Sequence, residues 1–265
     1  MTTEVEHDGS DRRNYVASVI KACTVVEALA GGEAEYTLAE VAESSDLGKT
    51  TVHRLLASLQ RVGWVERGPR NGYRLSLRMA RLTHASLKQF SVRHEALPHL
   101  RTLAGEFGDT AFLLVPAGDD GALVVEMVEG NNPLKVNTVT IGATLPYHAG
   151  GGPAVMAALD DSLRERVLNG PRQAFTEFTD TSRAALEEKF SRIREQGYVF
   201  AKDDLNIGVA VVSGPVYGPD GAVTCTLSLG GAADHYDGDQ LEKIITGVRA
   251  ACAALSERLG APALR

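Results

Sequence analysis

The sequence predicts an α+β protein in which a small helical domain ending in a β-hairpin precedes a larger domain of antiparallel strands and helices. Two changes of pattern along the chain support this prediction. Residues 16–61 carry apolar residues at spacings of three and four, which is typical of amphipathic helices, and two strand-like runs follow them. After residue 110, apolar runs joined by Gly- and Asp-rich turns alternate with helical segments, which is typical of an α+β sandwich.

The first two helices have recognisable ends. The first is expected to start at Val16, and the Gly31-Gly32 pair ends it, because glycine often follows a helix. The second is expected to start after Thr37, since Thr37 and Glu40 have the spacing of a capping box. It stops near residues 44–46, and Gly48 supplies a turn before the next helix.

The third helix, predicted from Lys49 to Arg61, has two different faces. Four apolar residues point inward, and the outward face is small, hydrogen-bonding and cationic, with Thr50, His53, Arg54, Ala57 and Arg61. Such a face suits insertion into the major groove of DNA, because small residues let the helix enter and Arg or His can reach base edges and phosphates. An ordinary exposed helix with a few charges is the alternative.

Two short strands, Trp64–Arg67 and Tyr73–Leu75, are predicted to form a hairpin around the turn-forming Asn71-Gly72 pair. A hairpin directly after a recognition-type helix is a wing. Its arginines, Arg67, Arg70 and Arg74, would meet phosphate or the minor groove. For Trp64 a core position under the hairpin is favoured over a role as an exposed anchor.

The distribution of charge supports a polyanion site near this hairpin. The chain has a net charge of -7, but residues 45–81 hold eight basic and two acidic residues, which is +6 and leaves -13 elsewhere. A solvated basic face would give the same pattern. No apolar run is long enough to span a bilayer, and the polar residues 1–13 do not form a signal peptide. We therefore expect a disordered tail over residues 1–13 and a cytoplasmic protein.

The cysteines and histidines indicate neither a redox nor a metal centre. Cys23, Cys225 and Cys252 lie far apart in apolar runs, which favours free thiols packed in the core. A redox sensor at Cys225 is the alternative. No CxxC, HxH or HxxxH pair is present, and no nucleophile with a matched base accompanies His148, Asp203 and Asp204. We expect no cofactor, no metal and no enzyme activity, and interpret His148 as a loop or subunit contact.

The rest of the chain is predicted to begin with a helix from Leu75 to Phe90 and another from Val92 to Phe107, with Pro98 at a kink or at the helix start. Strands are expected at 111–116, 122–128, 135–141, 199–201, 208–217 and 222–229. Helices are expected at 153–159, 162–168, 182–196 and 239–259.

Several of these segments resemble the IclR family of bacterial transcriptional regulators. Residues 47–59, Leu-Gly-Lys-Thr-Thr-Val-His-Arg-Leu-Leu-Ala-Ser-Leu, are similar to its recognition helix, and residues 63–67 and 72–75 are similar to its wing. Residues 142–152, 193–198 with 203–204, and 208–229 resemble its effector-binding domain. The resemblance implies a winged helix-turn-helix at 14–76, a linker helix at 77–90 and a GAF-like effector-binding domain at 91–262.

The resemblance also implies two sets of site residues. The DNA contacts are Lys49, Thr50, Thr51, His53 and Arg54, to which Thr37 and the three wing arginines are added. The effector contacts are Asn137, Leu145, Gly151, Gly152, Ala201, Asp203, Val209, Val211 and Ser228. The glycines can turn successive backbone amides toward an anion. A flexible turn before a helix is the alternative for such a glycine run.

The chain departs from the family pattern inside this second set. Family members usually continue with Gly-Lys-Ala where this chain has Pro153-Ala154-Val155, which puts the usual geometry in doubt. Several members carry Asp, Cys or Ser where this chain has Ala201, Val209 and Val211. A less polar pocket, and a larger or more apolar effector such as an aromatic acid, is therefore expected. A slip of one residue in the strand register would invert this expectation.

The resulting hypothesis is a ligand-responsive regulator, repressor or activator, of a catabolic operon. It would bind a pseudo-palindromic operator of double-stranded DNA as a homodimer or dimer of dimers and sense a small organic acid. A redox- or metal-responsive repressor is the first alternative. An enzyme built on the GAF-like domain is the second.

Overall fold

The computed structural model describes residues 15–31, 33–79, 91–119, 121–133 and 139–262. The chain divides into two compact units, residues 1–89 and 90–265, which we call the head and the larger unit. The tail predicted at residues 1–13 lies outside the described residues. Residues 77–79 are helical, and the remainder of the predicted linker helix lies outside them as well. Leu75, expected to open that helix, is in a strand instead, because it pairs with Val65.

The head has helices α1 (Ala17–Ala28), α2 (Leu38–Ser44) and α3 (Lys49–Arg61) and strands β1 (Val65–Arg67) and β2 (Tyr73–Leu75). The strands pair antiparallel around Asn71, whose φ of 62° suits a tight turn. A single bridge from Tyr36 to Tyr73 adds the segment before α2 to this hairpin. The helix-turn-helix and the wing predicted from the sequence are therefore present.

The exposed side of α1 corrects part of the sequence analysis. Val16, Val19 and Ile20 belong to the apolar spacing that predicted an amphipathic helix here, yet they are 64%, 58% and 50% exposed. Cys23 is exposed too, so it is not packed in a core. The reason is that the core of the head reaches only the C-terminal half of α1, at Val25 and just beyond it.

The larger unit begins with α4 (Ser91–Phe107) and then forms a six-stranded sheet with helices. Its strands are β3 (Thr110–Pro116), β4 (Ala122–Val128), β5 (Thr144–Leu145), β6 (Val199–Lys202), β7 (Val209–Tyr217) and β8 (Val223–Ala232). The other helices are α5 (Gly152–Leu159), α6 (Asp161–Asn169), α7 (Arg183–Gln196) and α8 (Gly238–Arg258), with a 3₁₀ turn at Ala233–His235. The strand order is β5-β4-β3-β8-β7-β6, with every neighbouring pair antiparallel.

Helices cover both faces of this sheet. Ser213 and Gly214 are neighbours on β7, so they face opposite sides. A Cβ at Gly214 would meet Cys252 on α8, whereas Ser213 lies against Gly151 at the start of α5. Helices α4 and α8 thus lie on one face, and α5 to α7 pack with Phe112 and Leu114 on the other. This arrangement is the α/β sandwich that the sequence predicted.

Two expectations about this unit need correction. The strand predicted at 135–141 is not formed over residues 139–141, which lie in a loop and turn, and residues 135–138 lie outside the described residues. The place beside β4 is taken by Thr144 and Leu145, which follow a turn at Gly142 with φ of 91°. Helix α4 begins before Pro98 and continues through it, so Pro98 does not start the helix. In the described part of the chain, every helix lacks the length and apolar character that crossing a bilayer requires.

Candidate nucleic-acid interface and ligand cavity

The outward face of α3 is exposed and is held in place from behind. Val52 and Leu56 are fully buried in the core of the head and Leu59 nearly so. Lys49, Thr50, His53 and Arg54 are exposed on the other side, and Thr51 is half-buried between the two faces. Neither Lys49 nor Arg54 has an ion-pair partner among the described residues. Two cations and two polar side chains are thus available to a polyanion on one side of a rigid helix.

Thr37 is exposed and caps α2. Its hydroxyl accepts a hydrogen bond from Glu40 N at 3.3 Å, and its own N–H donates to Glu40 Oε2 at 2.7 Å, which completes the capping box. The Thr37 backbone N–H, and then its hydroxyl, lower the pKa of the Glu40 carboxyl. Thr37 therefore fixes the start of α2 through both its backbone N–H and its hydroxyl.

The three wing arginines differ in what they contact. Arg67 donates to Asn71 O and to Tyr73 Oη, and its guanidinium lies 3.7 Å from the centre of the Tyr73 ring. Arg74 pairs with Glu66 at 2.7 Å. The Arg70 guanidinium makes no hydrogen bond or ion pair with a residue that the structure describes. The sequence predicted that all three contact DNA, but of the three only Arg70 has a guanidinium without a partner among the described residues.

Glu35 was not predicted as a functional residue, although its carboxylate lies against the turn of the wing. Its carboxylate accepts hydrogen bonds from Arg70 N at 3.1 Å and from Gly72 N at 3.0 Å. No sequence signal marks this contact, because Glu35 and Gly72 are 37 residues apart and lie in different elements. Trp64 is half-buried against the core of the head, which is the core position that the sequence favoured.

The larger unit contains a cavity of about 600 Å³, including its open mouth, between the sheet and the start of α5. Its walls are mostly apolar. Seven of the nine predicted effector positions line it, namely Leu145, Gly151, Gly152, Ala201, Val209, Val211 and Ser228. Asn137 lies outside the described residues. Asp203 does not line the cavity, because its carboxylate accepts from Gly208 N within the turn that leads into β7.

The glycines at this cavity allow a close approach of backbone to sheet. A Cβ at Gly151 would collide with Ser213 Oγ, and one at Gly152 would lie 2.5 Å from Thr226 Oγ1. Gly150 has φ of 74°, a conformation that favours glycine. Pro153 occupies the first turn of α5, where its missing N–H costs no helical hydrogen bond. The positive end of the α5 dipole therefore lies at the cavity wall, which favours an anionic group there.

A buried ion pair holds the glycine loop from the other side. Asp204 lines the cavity, and its Oδ2 accepts from Gly150 N at 2.9 Å and from Lys189 Nζ at 2.8 Å. Both side chains are only 8% exposed. Asp204 Oδ1 has no hydrogen-bond partner among the described residues. Asp204 belongs to the 203–204 segment of the family resemblance and was weighed with His148 and Asp203 as an acid–base group. Lys189 was not identified, since nothing in the sequence shows that α7 reaches this loop.

His148 contacts the loop that contains Gln173 and Phe175. Its Nε2 lies 2.9 Å from Gln173 O, and its ring stacks on Phe175 with centroids 5.9 Å apart. The described residues contain no cluster of three or more His, Cys, Asp or Glu side chains able to hold a metal ion.

Burial, and secondarily the nearby Cys252, raises the pKa of the Cys225 thiol, and burial raises the pKa of Cys252 to about 12. Both thiols thus stay protonated near neutral pH, which disfavours redox sensing at Cys225.

Comparison with known proteins gives one family over both units. Residues 18–69 match the IclR helix-turn-helix domain, and residues 84–257 match the bacterial transcriptional regulator IclR C-terminal domain. The chain is 30% identical to the glycerol operon regulatory protein of Streptomyces griseus, over 93% of this chain and 97% of that protein. It is also 30% identical to the HTH-type transcriptional regulator XynR of Escherichia coli, over 94% and 99%.

Solved structures share the fold over almost the whole chain. An IclR transcriptional regulator from Alicyclobacillus acidocaldarius superposes with a TM-score of 0.81 at 25% identity, covering 92% of this chain and 98% of that one. An IclR homolog from Microbacterium hydrocarbonoxydans, solved in complex with 4-hydroxybenzoate, superposes with a TM-score of 0.80 at 22% identity, covering 91% and 98%.

Proposed function

Because this chain belongs to the IclR family of bacterial transcriptional regulators, we propose that it controls transcription of a catabolic operon in response to a small organic acid bound in the cavity of the larger unit. The observation that carries the proposal is the outward face of α3, where Lys49 and Arg54 have no ion-pair partner among the described residues. The proposed division is a DNA-binding domain at 14–76, a linker helix at 77–90 and an effector-binding domain at 91–262, acting in the cytoplasm.

In this proposal α3 enters the major groove. His53 and Arg54 reach base edges or phosphates, while Lys49, Thr50 and Thr51 contact the groove near the start of the helix. Thr37, at the start of α2, meets the adjoining phosphates. Two copies of the chain bind half-sites related by two-fold symmetry, as a dimer or a dimer of dimers.

The proposed effector has an anionic group and an apolar body. The start of α5 supplies backbone N–H groups and a favourable dipole for a carboxylate. Ala201, Val209 and Val211 offer no polar partner to the rest of the ligand, so an aromatic or other apolar body is preferred to a second polar group. A protein of the same fold binds 4-hydroxybenzoate, which makes that acid a reasonable first probe.

The DNA-binding role is tested on a duplex selected from a random-sequence library with the full chain. We expect Arg54→Ala to weaken binding by about 1–3 kcal/mol in a mobility-shift assay if the side chain reads a base. Arg192→Ala is the matched control, because Arg192 is an exposed arginine on α7 of the larger unit. Unchanged affinity for the Arg54 variant would remove this residue from the interface.

The effector role is tested by calorimetric titration with benzoate, 4-hydroxybenzoate and glyoxylate. We expect an aromatic acid to bind in preference to glyoxylate, to raise the melting temperature, and to change the affinity for the selected duplex. Tight and selective binding of glyoxylate would contradict the apolar-effector proposal. A ligand that binds without changing DNA affinity would contradict the regulatory role.

A further inference from the structure

The wing folds around a carboxylate. Both oxygens of Glu35 lie within 3.2 Å of Arg70 N, and Oε2 also accepts from Gly72 N at 3.0 Å. These two N–H groups belong to the turn of the hairpin, so one anionic side chain holds the turn from inside. A charged acceptor makes such hydrogen bonds stronger than neutral ones.

Gly68 and Gly72 of the hairpin lie where a side chain would overlap Glu35. A Cβ at Gly68 would collide with the Glu35 carboxyl group, and one at Gly72 would lie 2.8 Å from Glu35 Cβ. The neighbouring residue, Tyr36, exchanges two backbone hydrogen bonds with Tyr73, at 2.7 and 2.8 Å. Glu35 is therefore fixed by its own backbone at the position where the wing closes over it.

Arg67 supports the same turn from the strand that leads into it. It donates to Asn71 O and covers the Tyr73 ring, while Arg74 is paired with Glu66 on the neighbouring strand. Two of the three wing arginines thus act within the hairpin. Arg70 remains, exposed at the turn that Glu35 holds.

We propose that Glu35 is a positioning residue that presets the wing so that Arg70 contacts DNA phosphate, with Arg67 and Arg74 acting as internal supports of the hairpin. This inference rests on the proposed DNA-binding function. The predicted effect of the Glu35 charge on DNA affinity is opposite to the simple electrostatic one. Removing a negative charge from a DNA-binding domain normally strengthens binding, whereas removing the charge of Glu35 releases the turn that presents Arg70.

The test compares Glu35→Gln with Glu43→Gln on the selected duplex. Glu43 is an exposed residue of α2 whose carboxylate makes no hydrogen bond or ion pair with the described residues, so its variant makes the same change of charge alone. We expect Glu35→Gln to weaken binding by about 3–10-fold, because the Gln amide oxygen still accepts from the two N–H groups but forms weaker hydrogen bonds than a carboxylate does. The Glu43 variant should bind equally or more tightly. In an Arg70→Ala background the Glu35 change should have no further effect. Tighter binding by Glu35→Gln, or an equal loss with and without Arg70, would overturn the proposal.

A second measurement keeps the assignment testable if Glu35→Gln destabilises the head. The dependence of affinity on salt is compared for Arg67→Ala, Arg70→Ala and Arg74→Ala. Losing one phosphate contact reduces the slope by about 0.9. We expect that reduction for Arg70→Ala alone, and a lower melting temperature for Arg67→Ala. Equal slopes among the three variants would refute the division of roles while leaving DNA binding intact. Failure of the unmodified chain to bind any duplex would instead refute the proposed function.

Discussion

The outward face of α3, proposed to bind DNA, and the cavity of the larger unit present their polar groups in opposite ways. On α3 the cations and hydroxyls point to solvent, and an apolar core behind them holds the helix. At the cavity the polar groups are buried, and they hold one another through the Asp204–Lys189 pair and the Gly150 amide. A surface site of the first kind keeps its fold when any single polar side chain is changed. A buried network of the second kind does not, because each group is the partner of another.

The largest expected effect comes from breaking the buried pair. Lys189→Met leaves the Asp204 carboxylate without its cation in an apolar environment, and we expect the larger unit to lose about 3–5 kcal/mol of unfolding free energy. The double variant Lys189→Met with Asp204→Asn should recover much of that loss, since no buried charge remains. Urea unfolding of the three proteins measures both values. A single variant as stable as the parent would show that the cavity is not held by this pair.

The second-largest loss of unfolding free energy is expected where the start of α5 lies close to the sheet. Gly151→Ala places a methyl group against Ser213 Oγ and Val211, and overpacking of this kind costs about 1–3 kcal/mol. Gly105→Ala is the matched control, because a Cβ there meets nothing within 4 Å on helix α4. We expect the control to be neutral or stabilising by denaturant titration. If both variants behave alike, Gly151 is only a flexible turn.

A smaller effect is expected at the surface of the head. Thr37→Ala removes the hydroxyl that caps α2, and such losses cost about 1 kcal/mol. Because the pKa of Glu40 is lowered in the folded head, its contribution is present at neutral pH and is lost as the pH falls through that lowered value. We therefore expect the difference in melting temperature between the parent and Thr37→Ala to be smaller at acidic than at neutral pH. The hydrogen bond from Glu40 N to the Thr37 hydroxyl does not titrate and keeps part of that difference. A constant difference across that range would contradict the capping-box account.

The smallest effect concerns the reactivity of the exposed and buried cysteines, which is compared without any substitution. Cys23 is exposed, whereas Cys225 and Cys252 are buried with raised pKa values. A thiol reagent at pH 8 should modify one cysteine quickly in the native protein and all three in denaturant. Fast modification of Cys225 in the native state would revive the redox-sensor alternative.

The sequence predicted the surface site better than the buried one. The α3 faces, the cap at Thr37 and the Asn71 turn depend on residues close together in sequence, and the structure places each as expected. Seven cavity positions were also found, because the family resemblance indicates them, and no local pattern of residues would have done so.

What the sequence could not predict are contacts between distant segments. Glu35 meets a hairpin 35 residues later, and Lys189 reaches Asp204 from another element. The same limit explains why the partners of Arg67 and Arg74 were not predicted, since these partners depend on the exact register of β1 and β2. It also explains why a strand was expected at 135–141 and not at Thr144–Leu145, because alternation alone does not show which segment occupies the edge beside β4.

The backbone glycines at the start of α5 and the side chains of β6 and β7 form different parts of the cavity wall, and under the proposed function this difference suggests how ligand preference can be changed in a biosensor. Any side chain at Gly151 or Gly152 strikes the sheet, so that part of the wall is closed to variation. Val211 lies close to Gly151, whereas Ala201 and Val209 can change size and polarity one at a time. A mutational library confined to Ala201 and Val209 would therefore explore other ligands while keeping the proposed carboxylate anchor constant.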